Sequence, residues 1–566
     1  MGNQKIIIYQ IFTRLFGNRT NVCKHNGTIA ENGCGKMNFF TDEVLQQIRA
    51  KGYTHVWYTG VIRHATATDY SPYGIPRQHP AIVKGKAGSP YAITDYYDID
   101  PDIAENVDKR MDEFLKLVDN SHRNGLKVIM DFVPNHVARQ YKSIAKGKGA
   151  RDLGEDDDKT KAFDANNNFY YCVNSAFAPS IDLYGGEAEP YSEFPAKATG
   201  NDQFGASPSC NDWYETVKLN YGVDYCDSGG RSEHFDPIPN TWHKMLDILL
   251  YWASKGVDGF RCDMAEMVST AFWHWAIDKV KSVHPAMIFI AEVYNPWEYK
   301  HYVDAGFDYL YDKVGMYDTM RGVICGNCPT SQITTAWQWV DGISNHMLYF
   351  LENHDEQRIA SAFFAGDARK GRPALIVSAL MRTNPYMVYF GQELGEKGMD
   401  KEGFSGVDGR TTIFDYWTVG TVARWSNAGK FDGRRLTAEE KQLRRFYQQV
   451  LTLCNEEKAI REGEFFDVMY ANYDNAMMNT FRQYAFLRKK DNDLILVVAN
   501  FDDQEVVSHI RIPAHAFEYF GLPADRTDFM AKDLISGKAE EITLQPDGLT
   551  RIVLPALGGT VLKIKF

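Results

Sequence analysis

Across its first four hundred residues the chain repeats one pattern eight times: a short apolar run rich in strand formers, followed by a stretch of helical period. The runs are 5–12, 54–61, 127–134, 259–263, 287–292, 307–312, 346–355 and 387–393. Between them, Met111, Phe114, Leu115 and Val118, and likewise Trp242, Met245, Leu246 and Leu249, recur at i, i+3, i+4 and i+7, so each helix presents one apolar face. Thr41 before Asp42 and Glu43 reads as an N-cap with an acidic first turn, and Gly125 and Gly256 fall where helix C-termini need positive φ. Eight βα units predict an α/β protein, a closed (β/α)8 barrel of the TIM type.

Two stretches break the rhythm. Residues 137–237, rich in Asp, Asn, Gly, Ser and Tyr, are too long for a loop and predict an irregular domain inserted after strand 3, on the face where such barrels place their chemistry. After about Asn455, neighbouring strands such as 484–489 and 494–500, joined through Lys490-Asp491-Asn492-Asp493, predict a C-terminal antiparallel β-sandwich whose last strand is 560–566. The expected organisation is therefore barrel 1–136, inserted domain 137–237, barrel 238–455 and sandwich 456–566.

Composition narrows the partners. Against 62 Lys and Arg stand 74 Asp and Glu, a formal charge of -12, with no basic run beyond Lys84 to Lys86, which argues against nucleic acid and anionic membranes and for a neutral ligand. Aromatics are plentiful, with 11 Trp, 32 Tyr and 33 Phe, and sugar sites are one use for such a surplus of rings. No stretch approaches the roughly 20 apolar residues of a membrane helix, and Met1 to Lys5 enter the run Ile6 to Ile8 without a signal-peptide pattern. A soluble chain is expected, with cytoplasm and periplasm both open and the oligomeric state unread. Nine Cys cannot all pair, so most are expected as free thiols, with Cys23/Cys34 and Cys325/Cys328 the candidate exceptions. Cys325-Gly326-Asn327-Cys328 has half of a zinc spacing and no second pair nearby, so a loop is expected there.

Four strand ends concentrate ionisable groups: Asp131-Phe132-Val133-Pro134-Asn135-His136, Gly259-Phe260-Arg261-Cys262-Asp263, Phe289-Ile290-Ala291-Glu292 and Phe350-Leu351-Glu352-Asn353-His354-Asp355. A single strand-end Asp is more often a cap than a catalyst; four such ends in one barrel reverse that expectation. In this order the segments resemble the sequence regions of the α-amylase family of glycoside hydrolases. Further matches are Gly88-Ser89-Pro90-Tyr91 leading into Asp95 to Pro101, Lys218-Leu219-Asn220, and Tyr389-Phe390-Gly391-Gln392-Glu393. The resemblance covers the barrel, and the family shares the inserted domain and the terminal sandwich.

The resemblance implies Asp263 as nucleophile, Glu292 as general acid/base and Asp355 as the third carboxylate. Breaking a glycosidic bond through an oxocarbenium-like state needs one ionised and one protonated carboxyl. Arg261, two residues before Asp263 and on the same strand face, is expected to hold Asp263 ionised, leaving Glu292 to keep the proton. His136 and His354 resemble the family's sugar-binding histidines and Tyr91 its stacking ring, with Arg358 as a further substrate contact or a helix cap. Calcium is the one cofactor implied, held by Asn135, Asn220 and the Met267 carbonyl, or by the stretch with Asn18, Asn21, Asn26 and Asn38. Two departures weaken the first site: Asn220 stands where calcium-binding members commonly carry Asp, and Met264-Ala265-Glu266-Met267 lacks the Lys-His pair of many endo-amylases. The expected activity is retaining hydrolysis of α-1,4-glucosidic bonds in starch-derived glucans or maltooligosaccharides. The alternatives are transfer or isomerisation on α-glucosides, and a non-catalytic glucan-binding relative. Lys218-Leu219-Asn220 leans towards the neopullulanase-like branch.

Overall fold

A computed structural model describes residues 4–524 and 527–565. Eight parallel strands close the barrel: β1 (Ile7–Phe12), β2 (His55–Thr59), β3 (Lys127–Phe132), β4 (Gly259–Cys262), β5 (Ile288–Ala291), β6 (Tyr309–Tyr311), β7 (Met347–Phe350) and β8 (Tyr386–Tyr389). Each pairs with its sequence neighbour, and β8 returns to β1 with Ile7 opposite Tyr386. The eight expected runs are these strands, several of them shorter than the runs. β7 ends at Phe350, and the polar stretch that follows is loop.

Strand periodicity of two sorts the side chains. Ile7, Tyr9, Ile11, Val56, Val128 and Met130 face outward into a core shared with the helices, where Phe114, Val118, Trp242, Met245 and Leu249 are buried. Ile8, Trp57, Ile129, Ile290, Leu348 and Met387 face inward and fill the lumen. Two residues further along the same inward face stand Gln10, Thr59, Asp131 and Glu292, and on β4 Arg261 is followed by Asp263. Apolar packing thus closes the lower lumen and delivers the polar layer to the strands' C-terminal end. Gly125 and Gly256 take φ of 72° and 90°, as the helix ends require.

The segment after β3 contains three short antiparallel strand pairs and little other regular structure. His136–Ala138 pairs with Thr216–Lys218, Tyr171–Cys172 with Ala196–Lys197, and Val223–Asp224 with Ser232–Glu233. Phe177, Tyr191, Ala196 and Tyr214 form its own small core with Ala81 and Ile82.

The C-terminal strands are β9 (Glu464–Asp467), β10 (Gln483–Lys490), β11 (Asp493–Asn500), β12 (Val506–Ile512), β13 (Asp528–Asp533), β14 (Ala539–Thr543), β15 (Gly548–Leu554) and β16 (Gly558–Lys565). A six-stranded antiparallel sheet, β9-β10-β11-β16-β13-β14, is accompanied by the pair β12-β15. Lys490 pairs with Asp493 across the expected tight turn. The last strand spans Gly558–Lys565, and Phe566 lies outside the described residues, as do Met1 to Asn3. Helix Gly371–Leu380 packs against β11 and β16. Buried Arg488 locks this junction by donating to the carbonyls of Leu380, Met381, Ile460 and Gly463.

All nine cysteines are free, so the pairings considered for Cys23/Cys34 and Cys325/Cys328 do not occur: Cys23 is exposed while Cys34 is buried, and Cys325 and Cys328 face the carbonyls of Phe364 and Thr319. Among the described residues no helix is long and apolar enough to cross a membrane.

Candidate active site

Arg261 organises the polar layer. Wholly buried, it donates Nη1 to Asp263 Oδ1 at 2.7 Å and pairs Nη2 with Glu292 Oε2 at 2.7 Å, while Asp131 Oδ1 lies 3.4 Å from Nη1. Its guanidinium lies over the rings of Trp57, Tyr91 and Tyr311 at 5.3, 5.4 and 5.5 Å. Three rings around a weakly hydrated cation offset part of what desolvation costs. Glu292 also accepts from the Met264 backbone N–H at 2.7 Å and the Tyr294 hydroxyl at 2.6 Å. Met264 reaches it because its φ of 43° turns the chain sharply after the nucleophile position.

Sharing the guanidinium changes the expected electrostatics. Burial pushes the Asp263 carboxyl well above the usual range; Arg261 opposes this, and Glu292, Asp131 and Asp355 reinforce it. Arg261 thus favours the ionised form of Asp263, as expected, but burial, reinforced by the neighbouring carboxylates, outweighs it. Asp131 is pushed up to about 6 by burial, against Arg261 and a hydrogen bond from Trp57 Nε1 at 3.0 Å.

The three expected carboxylates line one cavity of about 330 Å³ together with Tyr91, His136, Trp213, Tyr294 and Phe414. Lys84 and Glu215 form an ion pair of 3.0 Å in its wall. Asp355 is the most open of the three carboxylates, with 41% of its side chain exposed. His354 Nε2 lies 3.1 Å from Asp355 Oδ2 and 2.5 Å from the Tyr91 hydroxyl, while its Nδ1 meets Gln10 Nε2 at 2.9 Å. His136 Nε2 stands 4.0 Å from Asp263 Oδ2, and its ring packs on Trp213 at 5.2 Å. Burial lowers both imidazoles to about 3; Lys218 and Lys84 add to this at His136, and Arg261 at His354. Both rings are therefore neutral at ordinary pH.

Gly88 sets Tyr91. Its φ is 76°, and a Cβ there would run into the Ala65 carbonyl, so only glycine lets this turn pass against the neighbouring backbone.

Arg358 does not reach the cavity. Fully buried, it donates to Glu352 Oε2 at 2.9 Å, Thr411 Oγ1 at 2.9 Å and the Phe390 carbonyl at 2.9 Å, and so joins the β7 loop to β8. Its expected substrate contact is replaced by this structural one. Arg261 lies beneath the carboxylates and acts through them.

The residues expected to hold calcium do not fit it. The Asn220 amide donates to the Asp164 carbonyl at 2.8 Å, and its Oδ1, the atom that would ligate calcium, accepts from Gly222 N–H at 2.8 Å. Asn135 Oδ1 and the Met267 carbonyl instead both meet the ammonium of Lys218, at 2.5 and 3.2 Å. Of the other candidates, Asn18 donates Nδ2 to the carbonyls of Asn32 and Trp417 while its Oδ1 accepts from Thr20 N–H at 3.3 Å, and Asn26 takes a φ of 54° with its amide against His25. Among the described residues no cluster of three His, Cys, Asp or Glu suited to a metal occurs.

Sequence reasoning missed several site residues. Asp131 and Tyr294 share the parity of Ile129 and Glu292 and were findable from it. Lys84, Trp213, Glu215 and Phe414 come from irregular segments that carry no period.

A parallel barrel with three carboxylates and a buried arginine at the C-terminal strand ends defines a glycosidase-type site. The family model for the alpha-amylase catalytic domain matches residues 10–462, and the chain belongs to that family. Among curated relatives, it is 23% identical over 312 residues to neopullulanase 2 of Thermoactinomyces vulgaris, covering 54% of this chain and 44% of that protein. A cyclomaltodextrinase of a Bacillus species is 24% identical over 437 residues, 74% of this chain and 61% of that one. The chain thus spans between 44% and 61% of the length of these relatives. Among solved structures, the maltogenic α-amylase AmyB of Thermotoga neapolitana overlays with a TM-score of 0.63 at 19% identity, covering 100% of both chains. The likeness there is one of fold.

Proposed function

We propose that the chain is a retaining glycoside hydrolase that cleaves α-1,4-glucosidic bonds in maltooligosaccharides and related starch-derived glucans. One observation carries this reading: a single guanidinium grips Asp263 and Glu292 from below while both carboxyls line one cavity. Asp263 attacks the anomeric carbon, Glu292 delivers a proton to the leaving oxygen, and water assisted by Glu292 then opens the glycosyl-enzyme. Arg261 favours the ionised form of Asp263 that attack requires, against the burial that raises its carboxyl. Tyr91, His354 and Asp355 orient the hydroxyls of the sugar being cleaved, and Trp213 and Phe414 pack on its neighbours. The names of the relatives, neopullulanase and cyclomaltodextrinase, support short α-glucans as substrates.

Maltoheptaose is the test substrate. The expected outcome is shorter maltooligosaccharides released first as α-anomers, read by proton NMR before mutarotation. First products in the β-configuration overturn retention. Absence of cleavage, with Asp263→Asn indistinguishable from the native chain, overturns hydrolysis, and products longer than the substrate mark transfer instead.

A further inference from the structure

We propose that Lys218 is a built-in substitute for a divalent cation, tying the loop after the nucleophile to the inserted segment and, through Asn135, fixing which nitrogen of His136 carries the proton. Lys218 ends the strand Thr216–Lys218 and sits directly opposite His136 in the antiparallel pair. Its side chain is 3% exposed. Three oxygens from three stretches of chain surround the ammonium: Asn135 Oδ1 at 2.5 Å, Asp202 Oδ1 at 2.7 Å and the Met267 carbonyl at 3.2 Å. An ammonium has three donors and no acceptor, so these partners satisfy it. A divalent ion among the same oxygens would stand in contact with a buried positive charge, and in a low-dielectric interior that repulsion excludes it.

The ammonium has a second consequence. Since it can only donate, Asn135 must turn Oδ1 towards it, which sends Nδ2 to the Gly200 carbonyl at 2.7 Å and to His136 Nδ1 at 3.2 Å. An amide nitrogen only donates, so Nδ1 of His136 accepts and the proton of the neutral ring stays on Nε2. Nε2 lies 4.0 Å from Asp263 Oδ2, beyond hydrogen-bond reach, and the ring also has the Tyr91 backbone as a hydrogen-bond partner. Lys218 is therefore a positioning residue: it keeps His136 a donor beside the nucleophile without touching the cavity itself.

Three measurements test this. Nitrogen-15 NMR of histidine-labelled native protein should show His136 protonated on Nε2 alone; a proton on Nδ1 overturns the proposal. After dialysis against EGTA, added calcium chloride should leave the Tm of the native chain unchanged within about 1 °C. A rise of several degrees that Asn135→Ala abolishes overturns the proposal, whereas a rise that Asn135→Ala retains reports an ion elsewhere and leaves this site unresponsive, as expected. Lys218→Met should lower kcat by about tenfold with little change in KM, and the double variant with His136→Gln should lose no more than His136→Gln alone. Losses that multiply independently overturn the link through His136. The kinetic arm rests on the hydrolytic reading, while the NMR and calcium arms do not, so failure of one is distinguishable from failure of the other.

Discussion

Arg261 reaches Asp263 with one nitrogen and Glu292 with the other, each at 2.7 Å. The two carboxyls are thereby coupled, and a change at the arginine is felt by both. In Arg261→Met, Asp131, Asp263 and Glu292 lose their common counter-charge inside the barrel. Removing one partner of a buried charge network costs about 3–5 kcal/mol, so the variant should melt well below the native chain. Its kcat/KM on maltoheptaose should fall by at least about 100-fold, the scale of losing one preorganised electrostatic contact. A variant of native Tm and near-native rate would show that the pairing is incidental.

The roles of the two carboxyls separate by leaving group. A glycosyl fluoride departs without a proton, whereas a sugar leaving group needs one, so Glu292→Gln should lose about 10²- to 10⁴-fold on maltoheptaose and far less on α-maltosyl fluoride in the first, bond-breaking step. Asp263→Asn replaces the attacking carboxylate with a neutral amide and should lose on both substrates alike. Pre-steady-state release of fluoride from the two variants reads the difference, and equal losses in both would contradict the assignment.

The barrel was legible because its strand runs have period two and its helices period 3.6, and both patterns survive at low sequence similarity. The carboxylates were legible through the resemblance of the strand-end segments to the α-amylase family, and Asp355 stands in loop beyond Phe350, where strand parity no longer applies. What parity does not carry is the partner chosen by a long side chain. Arg358 is close in sequence to Asp355, yet its guanidinium turns down to Glu352. Lys218 stands in a triplet that suggested only a branch of the family, and its ammonium ends among oxygens supplied by residues 135, 202 and 267. Such contacts depend on how irregular segments pack, and no local period encodes that.

Asp131 gives the fold a pH signature. Its pKa, raised from 3.8 to about 6 by burial, means that the folded state binds its proton more tightly than the unfolded chain does. For a group raised in this way, the stabilisation is complete below the unfolded pKa and is lost as pH climbs through the folded one. Between about pH 4 and pH 6 the native protein should therefore lose about 3 kcal/mol of stability through this group, at 1.36 kcal/mol per pKa unit. The variant Asp131→Asn carries no ionisable group at this position. Denaturant melts of both proteins at pH 4, 5, 6 and 7 should show the stability difference between them shift in favour of the variant as pH rises; a pH-independent difference would refute the assignment.

Gly88 ties the motif Gly88-Ser89-Pro90-Tyr91 to the cavity wall. Its φ of 76° is one that alanine adopts only at a cost of about 1–3 kcal/mol, and the added methyl would meet the Ala65 carbonyl, which belongs to backbone and has little room to move. The turn in Gly88→Ala must shift, and Tyr91 shifts with it. Because Tyr91 holds His354 Nε2 at 2.5 Å and lines the cavity, the variant should both lower the Tm by several degrees and raise KM for maltooligosaccharides by about tenfold or more. Tyr91→Phe separates the two effects, since it keeps the turn and the ring and loses only the hydroxyl. It should hold the native Tm within a few degrees while its kcat falls, and a Gly88→Ala enzyme with native KM would mean that this turn does not position Tyr91 for substrate.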